Sequence, residues 1–284
     1  MSDGVSLSSA SAPTLSRAVG HLGLGFSRRG GATVLARLDQ AGCLRARLPR
    51  PERGALSGAV TMNNAGGIAS GDWLTTEVTW HEGAAATVSA AAAERVYRAR
   101  VAERPARVET TLTVGAGAVA EWLPQETILF DGARLDRTLS ISLAADAAFL
   151  SVEALIFGRT ARGEVMREGA LSDRVTLRRG GALVFSDRIS LTGDIAATLA
   201  RPATGAGAGA VASLMSVSPE AEAARERLRA ALVGLDGAEG GATLRDGIVL
   251  ARIVARDGLA LRRAVVAALA AVRHDRPLPR VWQC

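Results

Sequence analysis

Carboxylates embedded in apolar stretches are the residues of this chain most able to do chemistry. Glu153 sits inside Phe149-Leu150-Ser151-Val152-Glu153-Ala154-Leu155-Ile156-Phe157, and Asp187 ends Leu183-Val184-Phe185-Ser186-Asp187. Glu121 precedes Trp122 in a strand-like run, and Glu126 follows Gln125. Asp72 follows a glycine-rich turn, and Glu94 stands three residues before Tyr97. A carboxylate in a core strand costs several kcal/mol unless it is paired, hydrated or bound to a cation. Two chemistries satisfy that demand. One is an internal salt bridge, with Arg98, Arg159 or Arg188 as partner. The other is a water-filled polar passage in which a divalent cation moves between weak oxygen ligands.

Other chemistries lack their residues. His21, His81 and His274 are far apart, and none stands in a short His-x-His or His-x-x-x-His pair. With Cys43 they offer no ligand spacing for a closed zinc site. There is no Gly-x-Ser-x-Gly nucleophile turn. The chain has no Lys, so it holds no phosphate-loop lysine, and hydrolysis of GTP or ATP by that device is excluded. Gly66, Gly67 and Gly71 lie between strand-like stretches with no helix following, and read as a tight β turn.

The elements that would position the acids are mostly strands. Val78-Thr79-Trp80, Leu112-Thr113-Val114, Ile141-Ser142-Leu143 and Val175-Thr176-Leu177 each precede a Gly or Asp turn and a second strand. Each unit reads as a hairpin. Their near-regular spacing points to stacked units sharing one core. The expected fold is mainly β: a stacked-hairpin, β-helix-like or sandwich body with a smaller C-terminal α-β-β-α part. Residues 1–17 are expected to be a disordered tail, 18–201 the β-rich body and 202–218 a Gly/Ala-rich linker. Residues 219–284 form the C-terminal part, with helices from Pro219 and over Leu259–Arg273 and a turn at Asp246-Gly247 between strands.

The 284 residues can bury a sizeable core. Net charge is +6, yet the arginines are scattered among acids rather than clustered, which argues against nucleic acid as partner. Two cysteines make no disulfide framework. No stretch has the roughly 20 apolar residues of a membrane span, and the first residues lack the pattern of a secretory signal. The expected location is the cytoplasm, away from membranes.

Four segments and the C-terminus together resemble one family. They are Ala65-Gly66-Gly67-Ile68-Ala69-Ser70-Gly71-Asp72, Tyr97-Arg98, Glu121-Trp122-Leu123-Pro124-Gln125-Glu126, Phe157-Gly158-Arg159-Thr160-Ala161-Arg162-Gly163-Glu164 and Pro279-Arg280-Val281-Trp282. Their order and spacing resemble the urease accessory protein UreD (UreH) family from about residue 20 onward. Ala99, where relatives often have Ser, and Asn63-Asn64-Ala65 are small departures.

The resemblance implies a non-enzymatic chaperone for assembly of the urease nickel centre. It implies UreF, the GTPase UreG and the urease apoprotein as partners and, through that complex, the nickel donor UreE. Nickel would be in transit, with no permanent metal site or cofactor. Asp72, Glu94, Glu153 and Asp187 match positions associated with a nickel passage. Tyr97, Arg98, Trp122, Pro124, Gln125, Glu126, Gly158, Arg159 and Glu164 are expected to be structural, and Leu278 and Trp282 to form docking surface. The rival expectation is a carboxylate-dependent β-solenoid enzyme acting on a polysaccharide, which needs two acids across an aromatic-lined cleft. With one Tyr and four Trp the chain is poor in such surface.

Overall fold

The computed structural model describes residues 17–100, 103–273 and 276–283. The expected tail therefore lies outside the described residues, except for Arg17, which pairs with Glu103. In chain order the first strands are β1 (Val19–Arg29), β2 (Ala32–Gly42), β3 (Leu44–Arg47) and β4 (Ser57–Asn63). There follow β5 (Trp73–Trp80), β6 (Ala85–Ala90), β7 (Glu94–Val96), β8 (Ala106–Val114), β9 (Val119–Leu123), β10 (Thr127–Leu129), β11 (Arg134–Leu143) and β12 (Ala148–Phe157). The chain continues through β13 (Glu168–Arg179), β14 (Ala182–Asp194), helix α1 (Ile195–Ala200), β15 (Ala210–Val217) and α2 (Ala221–Ala231). It ends with β16 (Ala238–Arg245), β17 (Ile248–Ala255) and α3 (Gly258–Arg273).

Two sheets face each other. The first has the order β14-β13-β11-β8-β5-β1-β2, and the second β16-β17-β15-β12-β9-β6-β4-β3, with β10 and β7 attached beside β12. From β5 to β13 the chain crosses between sheets at almost every turn. Strands β5, β8, β11 and β13 pair in parallel in the first sheet, and β6, β9 and β12 in the second.

This corrects the hairpin reading. Three of the four repeat units are arches, whose two strands belong to opposite sheets, so the body is a coil of β-helix type flattened into a sandwich. Only the fourth unit, β13 and β14, is an antiparallel hairpin. The register shows why the arches stack. Leu24, Val78, Leu112, Ile141 and Leu177 stand side by side across the first sheet. None of the five is more than 2% exposed. The fourth unit is thus aligned on Leu177, two residues beyond the expected Val175.

The expected linker at 202–218 is also corrected. Its second half is β15, which pairs with both β12 and β17. The C-terminal strands therefore extend the body's own sheet. At β12 that sheet is buried on both faces, which explains the continuous apolar run of this strand. One face meets the first sheet; the other carries Leu150, Val152, Ala154 and Ile156 against α2 and α3. Helix α3 buries Ala260, Leu261, Ala264, Val265, Ala268 and Leu269 there, two adjacent positions in each turn.

The expected docking surface at the C-terminus is largely internal. Trp282 is 2% exposed, and its indole N–H donates to the Leu123 carbonyl at 3.0 Å. Arg262 lies over its ring at 5.1 Å. An indole must find both an apolar bed and an acceptor, and the sheet supplies both. Leu278 is half-buried in the same core. Of the large apolar residues of α3, Leu259 alone is strongly exposed among the described residues.

Candidate functional site

The segment from Glu121 to Glu126 ties the helical layer to the sandwich. Alternation in β9 sends Glu121 and Leu123 toward α3 and Trp122 toward the space between the sheets. The Glu121 carboxylate, 1% exposed, takes bonds from the buried Arg273 at 2.9 Å and from Arg276 at 3.1 Å. Thr87 donates to it from β6 at 2.5 Å. Past Pro124, Gln125 donates to the Val281 carbonyl at 2.8 Å, and Arg262 bonds Gln125 at 2.7 Å and Glu126 at 3.1 Å.

A second cluster joins the remaining motifs. The Tyr97 hydroxyl donates to the Gly66 carbonyl at 2.6 Å, and its ring meets Phe130 edge-on. Arg98 pairs with Asp131, whose other oxygen accepts from the Arg167 amide at 2.8 Å. Arg159 grips Glu164 through two bonds of 2.6 and 3.1 Å while stacking over Phe130. Arg98 and Arg159 therefore pair near the surface, not with the core carboxylates. Gly158 has φ +95°, and an added Cβ would also meet the Met166 nitrogen and the Val165 Cα at 2.8 Å. Gly158→Ala is expected to cost about 3 kcal/mol, combining backbone strain with the clash. The midpoint of chemical denaturation checks it.

Between the sheets lie two adjoining cavities. The first, of about 420 Å³, opens between β14 and β16 and is lined by Glu153, Asp173, Asp187 and Arg252 among apolar side chains. The second, of about 370 Å³, extends from Glu153 and Trp122 to Asn63 and Glu94. Arg137, Leu139 and Glu153 line both. At this partition Arg137 crosses from the first sheet to Glu153 on the second at 2.8 Å. It also grips Asp173, its neighbour in register, through bonds of 2.9 and 2.7 Å. Trp122 donates its indole N–H to Glu153 at 2.8 Å. At the mouth of the first cavity, Asp187 pairs with Arg252.

Two carboxylates thus face one guanidinium at the partition. Burial pushes the Glu153 carboxyl above the ordinary glutamate range, against the pull of Arg137, and Asp173 pushes it further. Glu94 is also raised, chiefly by burial, although Asn63 donates to both its oxygens at 3.3 and 3.2 Å. Between the ordinary glutamate range and these raised values, the folded state holds protons on the two acids that the unfolded chain has released. Stability should rise as pH falls from neutral toward their raised values. Glu94→Gln is expected to stabilise the fold at pH 7 and to flatten that slope, as read by melting temperature at pH 5, 6 and 7.

The sequence-derived site is brought together only in part. Glu153 and Asp187 share one cavity, and Glu94 lines the next. Asp72 lines neither. It is 5% exposed, and its carboxylate accepts from the Ala69 and Ala18 amides at 2.7 and 2.8 Å, fixing the turn before β5. The sequence reading missed Arg137 and Asp173. A signal existed: the alternation that turns Leu135 and Leu139 inward also turns Arg137 inward, and Leu171 and Val175 do the same for Asp173. Among the described residues no three His, Cys, Asp or Glu side chains form a metal-holding group, and no helix is long and apolar enough to cross a membrane.

The model of a family described as UreD urease accessory protein matches residues 18–283. The chain belongs to the UreD family. A protein of Azorhizobium caulinodans named urease accessory protein UreD is 45% identical over 96% of this chain and 99% of its own length. One of Xanthobacter autotrophicus with the same name is 46% identical over 94% of this chain and 90% of its own. A Methylobacterium relative, again a urease accessory protein UreD, is 44% identical over 95% and 96%. In this UreD chain, the motifs that first suggested the family are chiefly the ones that fasten its layers together.

Proposed function

We propose that this chain is a non-enzymatic maturation factor of urease that gives nickel a route through its sandwich toward the apoprotein. Family membership over nearly the whole chain supports the maturation role. The route is supported by one observation: two cavities meet at Glu153, in a partition with more carboxylate than guanidinium charge. Nickel is the cargo here. In sequence it would meet Asp187 at the mouth, Asp173 and Glu153 at the partition, and Glu94 with Asn63 beyond. Single carboxylates with water give weak, exchangeable coordination, which suits transit better than storage.

In this reading UreF docks on the chain, UreG supplies GTP hydrolysis and nickel through UreF, UreE feeds that complex, and the assembly forms in the cytoplasm on the urease apoprotein. The test is expression of a urease operon with and without this chain. Urease from the operon lacking it should be short of nickel and largely inactive. Equal nickel content in the two preparations would refute the proposal. The polysaccharide-enzyme reading has less support, because Glu153, Asp173 and Asp187 are each held by an arginine and, among the described residues, Phe185 is the only aromatic one lining their cavity.

A further inference from the structure

A separate cleft of about 880 Å³ gathers residues from two of the sequence motifs, Tyr97-Arg98 and Phe157 to Glu164. Its apolar part is Ile128, Phe130, Ile156 and Leu259, with Tyr97 beside Phe130. Arg95, Arg159 and Arg162 supply three guanidinium groups, against Asp257 as the only acid lining the cleft among the described residues. Asp257 is occupied: its carboxylate accepts from the Ala260 amide at 2.8 Å, capping α3, and from Arg256 at 3.2 Å. Arg159 is neutralised by Glu164. The guanidinium groups of Arg95 and Arg162 are both exposed, and among the described residues neither makes an ion pair or hydrogen bond; Arg95 acts only at longer range on Glu94.

The backbone keeps these groups in place. The αL glycine Gly163 closes the single 3-10 turn that carries Arg162. A Cβ on Gly258 would meet the Ile156 Cδ1 at 2.6 Å, so α3 starts in close contact with β12 and a larger residue there would have to displace that methyl group. Leu259, the next residue, is 61% exposed at the rim. An exposed leucine and an edge-on aromatic pair beside two unpaired arginines form an amphipathic receptor. It matches a ligand with one large apolar side chain and flanking negative charge.

We infer that this cleft is a docking site for an acidic segment of a partner protein, one whose large apolar side chain packs on Phe130 and Leu259 while its carboxylates engage Arg95 and Arg162. The inference takes from the proposed function only the set of proteins in which the segment is sought. It does not depend on the nickel route.

The test replaces Leu259 with the photoreactive residue p-benzoylphenylalanine in the full chain, co-expressed with the urease structural and accessory proteins. The crosslinked peptide is identified by mass spectrometry. The expected result is one partner segment that carries at least two acidic residues beside an aliphatic or aromatic one. Its yield should fall at least tenfold when Arg95→Glu and Arg162→Glu are combined. Both arginines are exposed and unpaired, so unchanged circular dichroism would show that this variant folds. No crosslink, a segment without acids, an undiminished yield in the charge-reversed variant, or the same segment captured equally from Val233, a 78% exposed residue outside the cleft, would each overturn the inference. If nickel still reaches urease when the crosslink fails, the docking site falls and the proposed function stands.

Discussion

Arg273→Ala should be among the most damaging single substitutions in this chain, costing about 3–5 kcal/mol, because it leaves the carboxylate of Glu121 buried without its main partner. Both side chains are 1% exposed. Arg276 still reaches Glu121, but it is one-third exposed and makes only one of the ion pairs. Arg273 also donates to the Pro277 carbonyl, so its loss frees the chain that follows α3. That chain carries Trp282 into its place beside Leu123. Loss of helix docking and of the tail should therefore occur together, seen as a lowered melting temperature and as rapid proteolysis after residue 273. The paired change Glu121→Leu with Arg273→Met should recover most of the loss, since it removes both charges and keeps similar volume. If Arg273→Ala unfolds no more easily than the parent chain, the motif from Glu121 to Glu126 does not hold the layers together.

Alternation along a strand marks which residues share a face, but not which strand lies beside it. Strand positions and the C-terminal α-β-β-α order were readable, because Gly and Asp turns separate runs of period two. Partnering was not, because a strand-turn-strand unit looks the same whether its second strand folds back beside the first or crosses to the opposite sheet. Both satisfy the same turn chemistry, and only pairing with the next repeat decides. β15 was lost for a related reason. Its run Val211–Val217 follows a Gly/Ala loop, and nothing local says that a strand there inserts between β12 and β17. The site divided along the same line. Glu153 was visible because an acid inside nine otherwise uncharged residues is conspicuous. Arg137 and Asp173 were not, because their neighbours on the exposed face, Asp136 and Arg174, are also charged and conceal the inward charge. Asp72 was misplaced because a carboxylate after glycines fits a ligand and a turn cap equally well in sequence.

The partition between the cavities supports the second large effect, on nickel rather than on stability. Glu153→Gln should leave folding nearly unchanged. Arg137 keeps both bonds to Asp173, and the amide oxygen of glutamine can still accept from Trp122. The substitution also removes a charge that burial already disfavours, so any net change at pH 7 should be toward stability. If nickel passes this point, urease matured by the variant should contain several-fold less nickel, with activity falling in proportion. Arg137→Met should behave in the opposite way. It leaves Glu153 and Asp173 as two buried carboxylates with no cation, and like charges sharing a site cannot both stay ionised at low cost. A loss of about 3–5 kcal/mol is expected, largest at pH 8 and smaller at pH 5, where the raised Glu153 is more often protonated. Melting temperature of the assembled complex and nickel per urease separate the outcomes. Near-normal nickel from a stable Glu153→Gln chain would leave Arg137, Glu153 and Asp173 as a structural cross-link between the sheets and would remove the partition from the nickel route.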